Sequence, residues 1–178
     1  MNEFETSYGH DITFVIDAQH EELKNHQTIF PWAELFAHGL VAAVLDAPAG
    51  HPLNRHAETY GVARIRRDVL GPDGILLSAL GDVKRWRQTL PQDKVIGSLI
   101  QDSKHEGMLA AEHGADFVVL ISDDEERRRE YITWWTALMN CSLAVPYHPS
   151  SRPSPDDTPD MLLATPEQVL AVCNPKKA

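Results

Sequence analysis

Short apolar runs, each bounded by turn residues, recur along the chain: "ITFVID" (12–17), "LVAAVLDA" (40–47), "GILLSA" (74–79), "KVIGSLI" (94–100), "DFVVLIS" (116–122), "CSLAVPY" (141–147) and "MLLAT" (161–165). Runs of four or five consecutive apolar residues read as strands buried on both faces. Between them lie stretches with helical period. Trp32, Leu35 and Phe36 are spaced i, i+3, i+4, with Pro31 suited to a first turn and Gly39 to a stop. "GDVKRWRQTL" and "DSKHEGMLAAEHG" read as helices, the second closed by Gly114. "DDEERRREYITWWTALMN" puts carboxylates in its first turn, where the helix dipole favours them, and Tyr131, Trp134, Trp135 and Leu138 on one face. "PEQVLAV" is a terminal helix. The stretch "LNRHAETYGVARIRRDVLGPDG" (53–74) is ambiguous: Val62, Ile65 and Val69 fit one helical face, whereas "VARIR" alternates weakly like an edge strand. The helix is the favoured reading.

One string returns three times: "GPDGILLSA", "HGADFVVLIS" and "TPDMLLATP". Their aspartates, Asp73, Asp116 and Asp160, stand 43 and 44 residues apart. A βα unit takes roughly 20–25 residues, so each step is about two units. The regular spacing predicts a parallel, closed or nearly closed (β/α) barrel of TIM type, as one domain over residues 1–178. Strands at 75–78, 95–99, 117–121 and 142–146 are expected to be sequential neighbours. Such barrels typically have ~250 residues, and this chain has 178, so the barrel is a shortened one.

Composition narrows the function classes. A net charge of −10 argues against nucleic acid or an anionic membrane as partner. No apolar run approaches the ~18 residues of a membrane span. The acidic start "MNEFETSYGHD" lacks a secretory pattern, and two cysteines, Cys141 and Cys173, make neither a disulfide framework nor a zinc cluster. A cytoplasmic protein with reduced thiols is expected. The aromatic stripe of 131–138 exceeds what one sheet contact needs, which predicts a homodimer with part of that stripe near the interface.

A parallel barrel carries its site at the C-terminal strand ends. Those ends hold Asp17, Asp46, Ser78, Ser98, Gln101, Ser122, Asp123, Tyr147, His148 and Thr165. His148 is the best single acid–base candidate, because barrels place catalytic groups at strand ends. Asp17, Asp46 and Asp123 could converge on magnesium, which takes a few carboxylates plus waters. "DDEERRRE" (123–130) reads as a solvated, salt-bridged helix face. No nucleophile elbow, Walker loop or dinucleotide fingerprint is present.

The segment 72–121, with "PDGILL", "VIGSLI" and "MLAAEHGADFVVL" in that order, resembles the middle of the thiamine phosphate synthase family, which includes thiazole tautomerase relatives. The later "YITWWTALMNCSLAV" resembles a helix–strand stretch of some members. The resemblance covers about 70 residues, counted from these segments. It implies a TIM-type barrel, a cytoplasmic setting and frequent dimers. In that family a pyrimidine pyrophosphate and a thiazole phosphate are joined with loss of pyrophosphate, assisted by magnesium. With a one-residue shift the resemblance implies a metal ligand at Asp82, to which the strand ends add Asp123, and it places a serine at Leu99, with Ser98 one position early.

Several of the family's groups are missing. The second strand, "LVAAVLDAP", has no basic residue, acidic "SDDEE" replaces a lysine after the sixth, and "YHPSSRPSPDD" replaces a glycine-rich phosphate loop. Prolines flank Arg152 there and remove donors. The expectation is therefore a divergent family member without synthase activity, binding a small phosphorylated metabolite. Its expected catalytic groups are His148 and Ser98, and its ligand-binding groups Asp17, Asp46, Ser78, Ser122, Tyr147 and Arg152. Magnesium is expected only if the protein is active. The rival expectations are an active synthase or tautomerase-like enzyme, and a structural or regulatory dimer without ligand.

Overall fold

A computed structural model describes residues 12–19, 32–150 and 157–173. It shows an eight-stranded closed barrel in which every strand pairs in parallel with its neighbours in sequence, and the last with the first. The elements in order are β1 (Thr13–Asp17), α1 (Trp32–Ala37), β2 (Val41–Leu45), α2 (Pro52–Tyr60), β3 (Ala63–Arg67), β4 (Gly74–Leu77), α3 (Leu80–Thr89), β5 (Val95–Gln101), α4 (Lys104–Glu112), β6 (Phe117–Ile121), α5 (Glu125–Leu138), β7 (Ser142–Pro146), β8 (Met161–Ala164) and α6 (Pro166–Cys173). The four strands expected to be sequential neighbours are β4 to β7, and they are. No helix among the described residues is long and apolar enough to cross a membrane.

The helical reading of 62–69 is corrected: those residues supply the eighth strand, β3. The physical reason is Gly61. It sits at φ 68°, a left-handed conformation that costs glycine little, and ends α2 there. Its N–H donates to the Glu58 carbonyl and the Val62 N–H to the Ala57 carbonyl, the paired bonds of a Schellman stop. Beyond that stop the period-2 alternation governs, and Ile65 is buried at 1% exposure between Arg64 and Arg66.

The recurring aspartates turn out to be one device used three times. Asp73 precedes β4 and accepts from the Arg64 N–H of β3 at 2.9 Å. Asp116 precedes β6 and accepts from the Ile96 N–H of β5 at 2.7 Å. Asp160 precedes β8 and accepts from the Leu143 N–H of β7 at 2.8 Å. Each carboxylate thus ties the start of an even-numbered strand to an otherwise unpaired N–H of the odd strand before it. At β2 a backbone group takes this place, since the Phe14 N–H donates to the Leu40 carbonyl at 2.8 Å. These positions lie at the N-terminal face of the barrel, where a repeated feature serves stability rather than chemistry.

Three apolar layers follow from the alternation. Val15, Ala43, Leu45, Ile65, Leu76, Phe117, Val119, Ala144, Met161 and Leu163 fill the barrel interior. Gly97 leaves room there, since a Cβ on it would overlap the Phe117 ring. Outside the barrel, α1, α2 and α6 cover β1, β2 and β8 through a cluster that includes Phe14, Ile16, Leu35, Val44 and Leu162. On the other side α3, α4 and α5 cover β4 to β7 through Ile75, Ile96, Val118, Tyr131, Trp135 and Leu143. The outer face of β3 belongs to neither layer, because only residues 68–73 connect it to β4 and no helix forms among them.

Most of the aromatic stripe packs within the chain. Tyr131 and Trp135 are buried at 3% and 0% exposure, which leaves Leu138 at 67% as the open end. Tyr131 stacks on Trp135, whose indole N–H donates to the Cys141 carbonyl at 2.6 Å. Gly107 of α4 lets this pair approach, for a Cβ there would overlap the Tyr131 hydroxyl and lie 2.6 Å from the Trp135 ring.

Candidate functional site

The residues following the strands form the C-terminal mouth. Three of them, Asp46, Asp68 and Asp102, hold left-handed backbone conformations, with φ of 55°, 52° and 26°. Aspartate tolerates this region better than most residues, and it turns the chain sharply off each strand. The turn aims the Asp46 carboxylate at β3: one oxygen accepts from the Arg67 N–H at 3.1 Å, the other from the Arg67 guanidinium at 2.7 Å. The Asp68 carboxylate accepts from both the N–H and the hydroxyl of Ser78, at 2.8 and 2.7 Å.

Arg67 is the centre of the mouth. It points inward by the same alternation that buries Ile65, and its guanidinium bridges Asp46 and Asp17, with Nη2 to Asp17 at 2.7 Å. The Gln19 side-chain Oε1 accepts a further bond from Arg67 Nη1 at 3.3 Å. Burial alone would ease the proton off this guanidinium, but Asp17 and Asp46 outweigh it and raise its pKa. The result is a half-buried cation satisfied on two sides, carrying two carboxylates and a net charge of −1. Of the three carboxylates that the sequence offered for one magnesium, Asp17 and Asp46 share Arg67 instead, and Asp123 is exposed after β6. Sequence reasoning missed Arg67, because a helix over 62–69 hides which residue ends a strand. The signal was available in Gly61 followed by the alternating "ARIRR".

The other expected site residues fall into separate places. Ser98 is corrected as a catalytic candidate: it shares a strand face with Ile96 and Ile100, pairs in register with Leu77 and Val118, and so faces the helical layer at 0% exposure. Its hydroxyl is buried without a partner in the described residues. Tyr147 follows β7 and packs against the layer formed by α1, α2 and α6. Ser122 donates to the Asp124 carbonyl in the turn before α5, where Asp124 caps the helix. Thr165 and Gln168 form a reciprocal cap on α6. Gln101 ends β5 and is exposed. His148 is exposed beyond β7, with the Ser150 hydroxyl 2.7 Å from its Nδ1. Arg152 lies outside the described residues.

The carboxylates do not suit magnesium. Asp82 sits in the first turn of α3 and pairs with Arg85 at 2.9 Å. Asp123 is exposed in the turn after β6, while Asp17 and Asp46 are spent on Arg67. Among the described residues no group of three or more His, Cys, Asp or Glu could hold a metal ion. Cys141 and Cys173 are both unpaired, with burial pushing each thiol up to about 11. Comparison with protein-family models, curated proteins and solved structures finds no significant match to this chain.

Proposed function

We propose that this chain is a divergent barrel of the thiamine phosphate synthase type that binds a small metabolite and does not couple a pyrophosphate substrate. The observation that carries the reading is Arg67. Among the described strand-end residues it is the permanent cation, and Asp17 and Asp46 already neutralise it. Pyrophosphate departure needs cations and preorganised donors that are free to meet developing negative charge. A guanidinium held between two carboxylates would have to be pulled from both, and those carboxylates would then face the substrate. The mouth instead offers the polar side chains of Gln101, Gln19 and His148, which suit hydrogen bonding to a polar molecule.

The test is an assay of purified protein with pyrimidine pyrophosphate and thiazole phosphate, with and without magnesium, read as thiamine phosphate formed. No product is expected. Turnover within the ordinary range of ~1–10³ per second would overturn the reading. We further propose a cytoplasmic homodimer, in keeping with the unpaired buried thiols and the exposed Leu138 at the end of the aromatic stripe.

A further inference from the structure

The flank of β3 carries a cavity of about 560 Å³. It is lined by Ala47, Pro48 and Ala49 of the β2–α2 loop, Pro72 of the β3–β4 connection and Arg64, Ile65 and Arg66 of β3, and it reaches the mouth residues Gln19 and Asp46. This is the place a crossover helix between β3 and β4 would cover. Residues 68–73 instead turn back along the strand, with bends at 68–69 and 72–73: the Gly71 N–H donates to the Gly74 carbonyl, and a Cβ on Gly71 would lie 3.1 Å from both the Arg64 carbonyl and Arg66 Cγ.

The charges in this cavity are unlike those of the mouth. Asp46 has both oxygens engaged by Arg67. Arg64 gives its Nε to Asp73 at 2.8 Å and its Nη1 to Glu58 at 3.8 Å, leaving Nη2. Arg66 is exposed and has no ion pair or hydrogen bond among the described residues. The two arginines are two residues apart on one face of a strand, so their Cβ atoms are roughly 6.6 Å apart. That spacing lets two planar guanidinium forks address one tetrahedral anion. Among the described residues Arg66 is therefore an unpaired arginine that lines a cavity in a chain of net charge −10.

We propose that this flank is a binding site for a small phosphomonoester. The phosphate would lie between Arg66 and the free nitrogen of Arg64, and the organic body against Ala47, Pro48, Ala49 and Pro72. A dianion matches two guanidinium groups better than a monocarboxylate does, since a phosphomonoester carries about −1.5 to −2 at neutral pH. The volume falls in the ordinary range for a metabolite pocket. The site borders the mouth at Gln19 and Asp46, but its anion-binding groups, Arg64 and Arg66, lie outside the Arg67 cluster, so it holds or fails independently of the reading above.

The probes are phenyl phosphate, inorganic phosphate and benzoate, titrated calorimetrically into the full chain at fixed chloride concentration. Phenyl phosphate should bind most tightly, inorganic phosphate more weakly for want of an apolar body, and benzoate weakest. Arg66→Gln should weaken phenyl phosphate binding about tenfold or more, the size expected for a lost charge-assisted contact. Arg66→Lys should restore part of that loss, and Arg85→Gln on α3 should leave affinity unchanged. Unaltered circular dichroism of Arg66→Gln will show that the exposed substitution leaves the barrel folded. No binding of phenyl phosphate, or equal affinity in Arg66→Gln and the parent, would overturn the proposal. Equal loss in Arg66→Gln and Arg85→Gln would also overturn it, by showing attraction to net charge alone.

Discussion

Removing the carboxylate of Asp160 should loosen the barrel without touching its core. In Asp160→Ala the Leu143 N–H at the start of β7 loses its 2.8 Å partner. A hydrogen bond to a charged acceptor contributes about 1.5–3 kcal/mol, and the part-buried setting lets water recover some of that, so the expected loss is ~1–2 kcal/mol. For a domain of this size each kcal/mol moves Tm by about 2–4 °C, which gives a fall of ~2–8 °C. Asp73→Ala should cost more, because Asp73 also receives the Arg64 Nε at 2.8 Å, and Asp116→Ala likewise, because Asp116 also holds Arg87. Asparagine at each position keeps one acceptor oxygen and should cost about half as much as alanine. Asp73 adds a pH signature. Burial pushes its carboxyl up, but the hydrogen bonds from the Arg64 side chain and backbone more than offset that and hold it below its ordinary 3.8. The native state therefore binds this proton less readily than the unfolded chain, and the associated stability is present above about pH 4 and lost as pH falls below it. Urea unfolding of the three alanine variants, beside Asp93→Ala as an exposed control, checks the set. Three losses no larger than the control would refute the reading of these aspartates as strand ties.

Gly107→Ala should destabilise by ~1–3 kcal/mol through overpacking against Tyr131 and Trp135, despite alanine's better helix propensity, and near-ultraviolet dichroism should report the displaced rings. Cys141 and Cys173, with thiols raised to about 11, should resist an aromatic disulfide reagent at pH 8 in the native protein and react fully once it is unfolded in urea. Burial holds the His51 imidazole below its ordinary 6.5, and its Nδ1 accepts the Leu53 N–H as the cap of α2. The unfolded histidine takes the proton more readily, so stability present above about pH 6.5 declines as pH falls. His51→Asn, which caps without titrating, should flatten that slope, and an unchanged slope would count against the cap.

The barrel was legible because its signal is a matter of burial on both faces. Strands such as Phe117–Ile121 and Gly74–Leu77 are continuous apolar runs, and no alternative buries them as well. β3 was obscured for the opposite reason. Its outward residues are arginines, so Ala63–Arg67 has neither a continuous run nor a full apolar face, and Val62, Ile65 and Val69 mimic a helix. The candidate site suffered in consequence. Asp17 and Asp46 could be placed at the mouth from their positions after apolar runs, but their partner lay in the misassigned segment. Ser98 failed through parity, since a single position along a strand moves a side chain from the mouth to the helical layer. The 43- and 44-residue steps identified the two-unit period correctly, but strand spacing alone does not reveal that the repeated aspartates hold backbone N–H groups.

The shortening of the barrel and the charge on its flank have a common cause. Six extended residues reach about 20 Å, and a five-residue strand is about 17 Å long, so 68–73 can return from the top of β3 to the foot of β4 without a helix. The outer face of β3 is then left uncovered. Elsewhere the outward positions are apolar, as at Ile75, Leu77, Ile96, Ile100, Val118 and Leu120, because helices cover them. Apolar residues at 64 and 66 would have no such cover, and Arg64 and Arg66 keep this edge of the barrel in water. Solvation alone would be satisfied by any charged pair, of either sign. The chain's excess of acidic residues makes carboxylates the commoner choice for an exposed position. Two arginines beside a cavity walled by alanine and proline are what an organic phosphate requires. Substitution of Arg66 by glutamate separates the two demands: it keeps the flank soluble and should abolish phosphomonoester binding.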